Sequence, residues 1–482
     1  MPTDQMPTAL YVDGERRDPA GDETIPVVNP TTEEELAAVP VATGAEVDEA
    51  FGAARRAQDD WRLRPAHERA QLVRDIGAAL ADNADELAGM LVDEVGKPRR
   101  TAEGELVGSQ SLAEYMSEWA TRIEGDIVPS ESRRESIHLQ RHPHGVVAAI
   151  TPWNYPVAVT VRKIAPALAT GNTMVVKPSE VTPLSVMRMV EIIDEAVDLP
   201  DGVLNLVTGG GEVGSRMVTH EQTDFVTMTG SRETGKIIME QAAERLTPVS
   251  LELGGKAPAI VMADADIDEA VEDILTARIT NTGQVCTCAE RIYVESSVAE
   301  AFTDKYVDAM ESVRLGDPRD DAQMGPQVSA AELEKTSTAV DRARAEGATV
   351  RTGGERPVGE FPRGYYYEPT VLTDVTQDMD IIQNEVFGPV SPIVEVEDVD
   401  QAIEYANDSR YGLSSYLFTD DYQTAMRVAE DLQFGETYIN RTLGESWHGH
   451  HIGWKESGLG GEDGKYGALK YTQLKSVYHN YE

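Results

Sequence analysis

The strongest constraint in this sequence is a regular alternation between residues 145 and 256. GVVAAITP, NTMVVKP, VLNLVTG, DFVTMTG and TPVSLELGG read as short apolar strands. Between them, PVAVTVRKIAPALATG, PLSVMRMVEIIDEAVDLP and SRETGKIIMEQAAERL carry apolar residues three and four apart and read as helices, the first two closed by Gly171 and Pro200. Apolar strands joined through helices predict a parallel, doubly wound α/β sheet. A second α/β series opens near Pro258 with APAIVMADA and continues through AERIYVE, PIVEVED and SYLFTDD. Two stretches break the pattern. GDIVPSESRRESIHLQRHPHGVV is extended without a helical period, and ALKYTQLKSVYHNYE alternates at the C-terminal end. Lone extended arms need a partner surface. A homodimer or homotetramer is therefore expected, with the arm near residues 124–146 joined to the C-terminal strand of a neighbour.

Composition narrows the class. A length of 482 residues suggests two to four domains, with no 20–50-residue repeat. Mean hydropathy is −0.35 and charges interrupt every long apolar stretch, so no membrane span is expected. MPTDQMPTALYVDGERRDPA lacks the basic and apolar regions of a secretory signal, and only Cys286 and Cys288 occur. A cytoplasmic protein without a disulfide framework is expected. Asp and Glu number 84 against 42 Lys and Arg, a net charge of −42. Such a surface repels nucleic acid and anionic lipid. The acids are spread along the chain and only 11 of the basic residues are Lys. That pattern reads as an acid shell adapted to a salty cytoplasm.

Five segments carry chemistry. NTGQVCTCAERIYV sets Cys286 in a loop between a helix and a strand, where a thiolate suits acyl chemistry. A soluble protein's Cys is more often a small buried hydrophobe. The CxC pair falls short of a zinc site, so no metal is expected. SLELGGKAP ends an apolar strand with Glu252, either a satisfied structural charge or a general base raised by burial. ITPWNYP offers the Asn154 amide on a rigid turn, as packing or as an oxyanion donor. VVKPSE places Lys177 and Glu180 beyond a strand, and MTGSRETG places Gly230 and Ser231 before a helix, where backbone N–H groups can receive a phosphate. NEVFGPV offers Glu385 and Phe387 for a ribose and a planar ring, or for loop packing.

Taken together, TPWNYP, VVKPSE, TGS, LELGGK, GQVC and EVFGP, in this order from VNPTTEE near residue 28 onward, resemble the aldehyde dehydrogenase superfamily. The resemblance implies an aldehyde-dehydrogenase-like α/β fold. Its parts would be a Rossmann-type NAD-binding domain (1–123 and 147–256), an α/β catalytic domain (257–455) and a small β oligomerisation arm (124–146 and 456–482). It implies Cys286 as nucleophile, Glu252 as base and Asn154 as oxyanion donor. As dinucleotide contacts it implies Thr151, Trp153, Lys177, Ser179, Glu180, Gly211, Gly230, Ser231, Leu253, Glu385 and Phe387. NAD is expected over NADP, because a carboxylate at Glu180 repels a 2′-phosphate. Glu252 argues against a CoA-acylating relative, and the three retained catalytic residues argue against a non-enzymic one.

GETYINRTLGESWHGHHIGWKESGLGGEDGKYG is similar to the lactaldehyde/glycolaldehyde dehydrogenase group. That likeness implies Arg162, Glu445 and His451 as substrate contacts. Thr287 stands where Asn is common in the group. Arg162, Glu445 and His451 are a polar trio suited to a small oxygenated aldehyde. 2,5-Dioxopentanoate or succinate semialdehyde remains an alternative, since a second carboxylate would also want Arg162.

Overall fold

A computed structural model describes residues 6–357, 359 and 361–481. Its first sheet has eight strands in the order Gly458–Leu459, Val249–Glu252, Phe225–Thr229, Val146–Ile150, Thr173–Lys177, Leu204–Leu206, Leu10–Val12 and Glu15–Arg17. The five central strands are mutually parallel, as the alternation predicts. Both faces are buried because neighbouring residues of one strand enter different cores. Val146 and Ala148 pack with Phe51 and Met217, whereas Val147 and Ala149 pack with Val161 and Leu204.

Chain order reverses at Val146–Ile150: the next two strands lie on one side of it, and Phe225–Thr229 and Val249–Glu252 on the other. A crevice opens at such a switch point, beyond the carboxyl ends of the strands. Thr151, Lys177, Gly230 and Glu252 all stand there.

The second sheet has seven strands. Ala257–Val261 and Ala289–Glu295 are central, and Ser414–Phe418, Glu436–Ile439, Val390–Val396 and Thr370–Thr373 add in parallel. Only Thr349–Thr352 runs antiparallel among its described strands.

The sequence reading differs from the structure in three places. The helix Gly211–Thr219, between Leu204–Leu206 and Phe225–Thr229, was not expected from a segment with two glycines among nine residues. Gly458–Leu459 leaves the arm and pairs antiparallel with Leu251 and Glu252 at the edge of the first sheet. The C-terminal strand does not need a neighbour. Thr472–Asn480 pairs antiparallel with Glu135–Pro143 of the same chain, and Asp126–Val128 completes a three-stranded sheet. Nine residues of in-register pairing within the chain satisfy the ladder that the sequence left open.

Candidate active site

A cavity of about 1340 Å³ lies over the crevice between the two sheets, and every site residue named from the sequence lines it. The segment carrying Cys286 is strained and braced. After the helix Ile267–Ile279, Asn281 and Thr282 take left-handed backbone, φ 49° and 60°, followed by Gly283 at 75°. For residues with a Cβ this conformation costs on the order of 1–3 kcal/mol each. Gln284 opposes that strain: its Nε2 donates to the Asn281 carbonyl at 2.9 Å and its Oε1 accepts from the Val328 amide at 2.9 Å. Cys286 is half-buried and faces the cavity. Cys288 is buried, donates to the Ala277 carbonyl, and has its thiol pushed up to about 12 by burial.

Asn154 is fixed from several sides. Its Nδ2 donates to the Gln284 carbonyl at 2.9 Å, which leaves the second N–H of that amide for the cavity. Its carbonyl accepts from Lys97 Nζ at 2.8 Å and Asn281 Nδ2 at 3.1 Å. Lys97 is ion-paired with Glu105, both side chains fully buried, and sits 3.7 Å from the Tyr155 ring centre. Glu105 Oε1 also accepts from the Val157 and Ala158 amides at 3.0 Å each, the orphan donors at the start of the helix Pro156–Ala169. The sequence reading missed this brace. Lys97 and Glu105 belong to no motif; Lys97 lies in the short link before the helix Arg99–Trp119, which carries Glu105, and the packing of that helix against Pro156–Ala169 brings them to the turn.

Glu252 ends its strand buried, and neither carboxylate oxygen has a hydrogen-bond partner among the described residues. Burial pushes its carboxyl up to about 7; His451 pulls it down and Glu462 raises it further. A carboxyl that is half-ionised near neutrality and free of partners can take a proton from water.

The opposite end of the cavity carries a different donor set. Lys177 donates to the Pro178 and Gly209 carbonyls and lies 3.5 Å from Glu180. Gly230 and Ser231 precede the helix Arg232–Ala243, which Ser231 caps. Gly211 opens the missed helix, and a Cβ there would meet nothing within 4 Å. Glu385 accepts from the Gly255 amide at 2.8 Å. Phe387 holds a positive φ of 59°, with the amides of Val386 and Phe387 tied to Glu290 and its ring edge-on to Trp153 at 5.3 Å. Thr151, Ser179 and Leu253 complete this wall.

A polar network crosses the floor near Cys286. Arg162 pairs with Glu445 at 2.9 Å and Asp463 at 3.2 Å, and its guanidinium lies 5.1 Å from the Trp447 ring centre. Burial pushes Glu445 up, but Arg162 and His451 outweigh it and hold its carboxyl at about 2. His451 is buried, lines the same cavity as Cys286 and stands 3.3 Å from Glu436. Thr287 is buried next to Cys286, its carbonyl accepting from Tyr416 and Ser414. Glu436 and Asp463 were not named from the sequence. Each sits beside a motif residue only through the fold.

A model of the aldehyde dehydrogenase family matches residues 17–477. The chain belongs to that family. The lactaldehyde dehydrogenase of Escherichia coli K12 is 45% identical to this aldehyde dehydrogenase over 472 residues, 97% of this chain and 98% of its own. A crystal structure of the E. coli lactaldehyde dehydrogenase matches with a TM-score of 0.96 and 45% identity, over 98% of this chain and 99% of that one. D-glyceraldehyde dehydrogenase (NADP(+)) of Picrophilus torridus is 40% identical over 475 residues, 98% of this chain and 96% of its own.

The second donor set fits the nicotinamide dinucleotide that this family uses. Two helix N-termini, one of them opened by the unobstructed Gly210 and Gly211, can take a pyrophosphate, two carboxylates can take ribose hydroxyls, and Phe387 with Trp153 can wall a ring. Among the described residues no helix of this aldehyde dehydrogenase is long and apolar enough to cross a membrane.

Proposed function

We propose that this aldehyde dehydrogenase oxidises a small hydroxyaldehyde, of the lactaldehyde, glycolaldehyde or glyceraldehyde kind, to its acid with NAD. The observation that carries this reading is the state of Arg162. Two carboxylates, Glu445 and Asp463, already neutralise it. The network therefore offers paired donors and acceptors to hydroxyl groups rather than a bare cation to a second carboxylate. That disfavours 2,5-dioxopentanoate and succinate semialdehyde. The activities of the two relatives point the same way.

In the proposed mechanism the Cys286 sulfur attacks the aldehyde carbon. The free N–H of Asn154 receives the oxyanion. The bound dinucleotide supplies the hydride acceptor that turns the adduct into a thioester. Glu252 then takes a proton from a water that attacks the thioester, and the acid leaves Cys286.

The NAD preference rests on Glu180 and on Lys177, whose donors are spent on two carbonyls and on Glu180 itself. A homodimer or homotetramer is supported by the arm, which exposes Ile127, Leu474 and Tyr478. The acid excess and the Arg-dominated ion pairs support adaptation to a salty cytoplasm, and a hydroxyaldehyde substrate suits carbohydrate catabolism.

The test is kcat/KM for lactaldehyde, glycolaldehyde, glyceraldehyde, succinate semialdehyde, 2,5-dioxopentanoate and hexanal, each with NAD and with NADP. The three hydroxyaldehydes should lead by at least tenfold, with NAD ahead. A lead by either dicarboxylate precursor refutes the substrate class.

A further inference from the structure

One buried carboxylate behind the dinucleotide wall has no part in the mechanism above. Glu290 is the second residue of the strand Ala289–Glu295, and it is buried without lining the cavity. Both of its oxygens are engaged. Oε1 accepts from the Phe387 amide at 2.9 Å, and Oε2 accepts from the Val386 amide at 3.0 Å and from Lys256 Nζ at 2.7 Å. Arg278 Nη1 stands 3.7 Å from Oε1. Burial alone would push this carboxyl up, but Lys256 and Arg278 outweigh it and hold it at about 2, so both oxygens stay acceptors at neutral pH.

The segment that Glu290 holds needs holding. Phe387 has left-handed backbone, φ 59°, which a residue with a Cβ keeps only where its surroundings impose it. Its ring lies edge-on to Trp153, and both rings line the cavity together with Glu385. The same segment abuts the nucleophile's own loop. Glu385 accepts from the Gly255 amide at 2.8 Å, and a Cβ on Gly255 would strike the Cys286 carbonyl. A Cβ on Gly283 would strike the Gly388 carbonyl. Arg278, the cation beside Glu290, donates to the Gly283 carbonyl at 2.9 Å. The hydride acceptor must reach the carbon bonded to the Cys286 sulfur. The part of the wall that touches this loop therefore serves the nicotinamide and its ribose, and Lys177 and Glu180 are left for the adenosine half.

We infer that Glu290 is a positioning residue for the nicotinamide half of the dinucleotide: by holding the Val386 and Phe387 amides it sets the Phe387 ring and the Glu385 carboxylate where that half binds. This rests on the dinucleotide reading of the wall and deepens it.

Glu290→Gln keeps the shape but puts an NH2 where one carboxylate oxygen stood. The side-chain oxygen goes to Lys256 and Val386, which share Oε2, and the NH2 then meets the Phe387 N–H, donor against donor. The left-handed turn loses its tie, and the ring loses its aim. The substitution also strands Lys256, which is buried and already pulled down by burial. Adding Lys256→Met removes that stranded charge and still leaves the Phe387 amide without an anionic acceptor.

The test is the dissociation constant of NADH, read from its fluorescence, beside that of ADP, read by calorimetry, both on enzyme without aldehyde. ADP lacks the nicotinamide and its ribose, so it reports on the adenosine end alone. Glu290→Gln and the double variant should each weaken NADH at least tenfold while ADP stays within threefold of the parent. The double variant should also melt higher than the single one. A merely structural role for Glu290 would weaken both ligands, or would be cured in the double variant along with the melt. NADH weakened less than tenfold in the double variant, or ADP weakened more than threefold there, overturns the positioning role. A parent that binds neither ligand overturns the dinucleotide reading itself, and this inference with it.

Discussion

Glu105→Gln isolates one buried charge while keeping shape. The Gln side-chain oxygen can still accept from Val157 and Ala158, so the helix start stays capped. What disappears is the negative charge against Lys97, which is fully buried and already pulled down by burial. Leaving one member of a buried pair unmatched costs roughly 3–5 kcal/mol. A stability change of 1 kcal/mol moves the melting temperature of a domain of 150–250 residues by about 2–4 °C. The expected drop is therefore about 6–20 °C.

A second consequence follows through Lys97 Nζ, which holds the Asn154 carbonyl. Once the ammonium shifts, the Asn154 amide loses its aim, and loss of one oxyanion donor lowers kcat by ~10²–10³. Lys97→Met combined with Glu105→Gln removes both charges. It should recover most of the melting temperature, because replacing a buried ion pair by an apolar group is close to neutral. It should not recover kcat, because the Asn154 carbonyl still lacks the Lys97 donor and keeps only Asn281 Nδ2. Differential scanning calorimetry and steady-state kinetics on the parent and the two variants decide the matter. A Glu105→Gln enzyme melting within 2 °C of the parent, or a double variant that regains kcat, refutes the reasoning.

Three further outcomes are expected. Cys286→Ala should abolish dehydrogenase turnover while Cys288→Ala keeps most of it, since the Cys288 thiol is buried and pushed up to about 12; turnover by Cys286→Ala within tenfold of the parent contradicts the mechanism. Glu252, raised by burial from an ordinary 4.5 to about 7, should make thioester hydrolysis rise between pH 6 and 8 and level off above, a rise that Glu252→Gln removes; because the folded state keeps a proton the unfolded chain has released, the same group lowers stability as pH climbs from 4.5 toward 7. Melting temperature should rise from 0.1 M to 2 M KCl, because a net charge of −42 repels itself over a Debye length of ~10 Å at the lower salt and of under ~3 Å at the higher; equal melts at both salts count against adaptation.

The parts legible in the sequence were those whose signal is local. The strand alternation from Val146 to Glu252 gave the parallel sheet, because strands buried on both faces must be apolar throughout and helices must separate them. Cys286, Asn154 and Glu252 each sit in or directly before a turn whose Gly or Pro residues mark it, and the fold brings all three to one cavity. Gly211–Thr219 was invisible because glycine weakens the helical pattern where the cavity needs open backbone. The arm was read correctly as extended, but strand pairing between residues some 330 positions apart leaves no mark in either segment.

The least legible residues are those that act through others. Lys97 looks like an ordinary charge in a Gly-Lys-Pro link, Glu105 like one on a helical face, and Glu436 like one more acid among 84. Their side chains are fully or nearly buried, which in so acidic a chain is the distinguishing mark. Most of the acid excess can be solvated, so a carboxylate kept inside against its desolvation cost must be matched by something specific. Glu105 is matched by Lys97, Glu445 by Arg162 and Glu462 by Lys163. Glu436 has no Lys or Arg among its ion pairs; its partners are His451 and the Tyr438 hydroxyl. A carboxylate held this way has a charge partner only while the imidazole carries its proton, which ties the local stability of the second sheet to the protonation of His451.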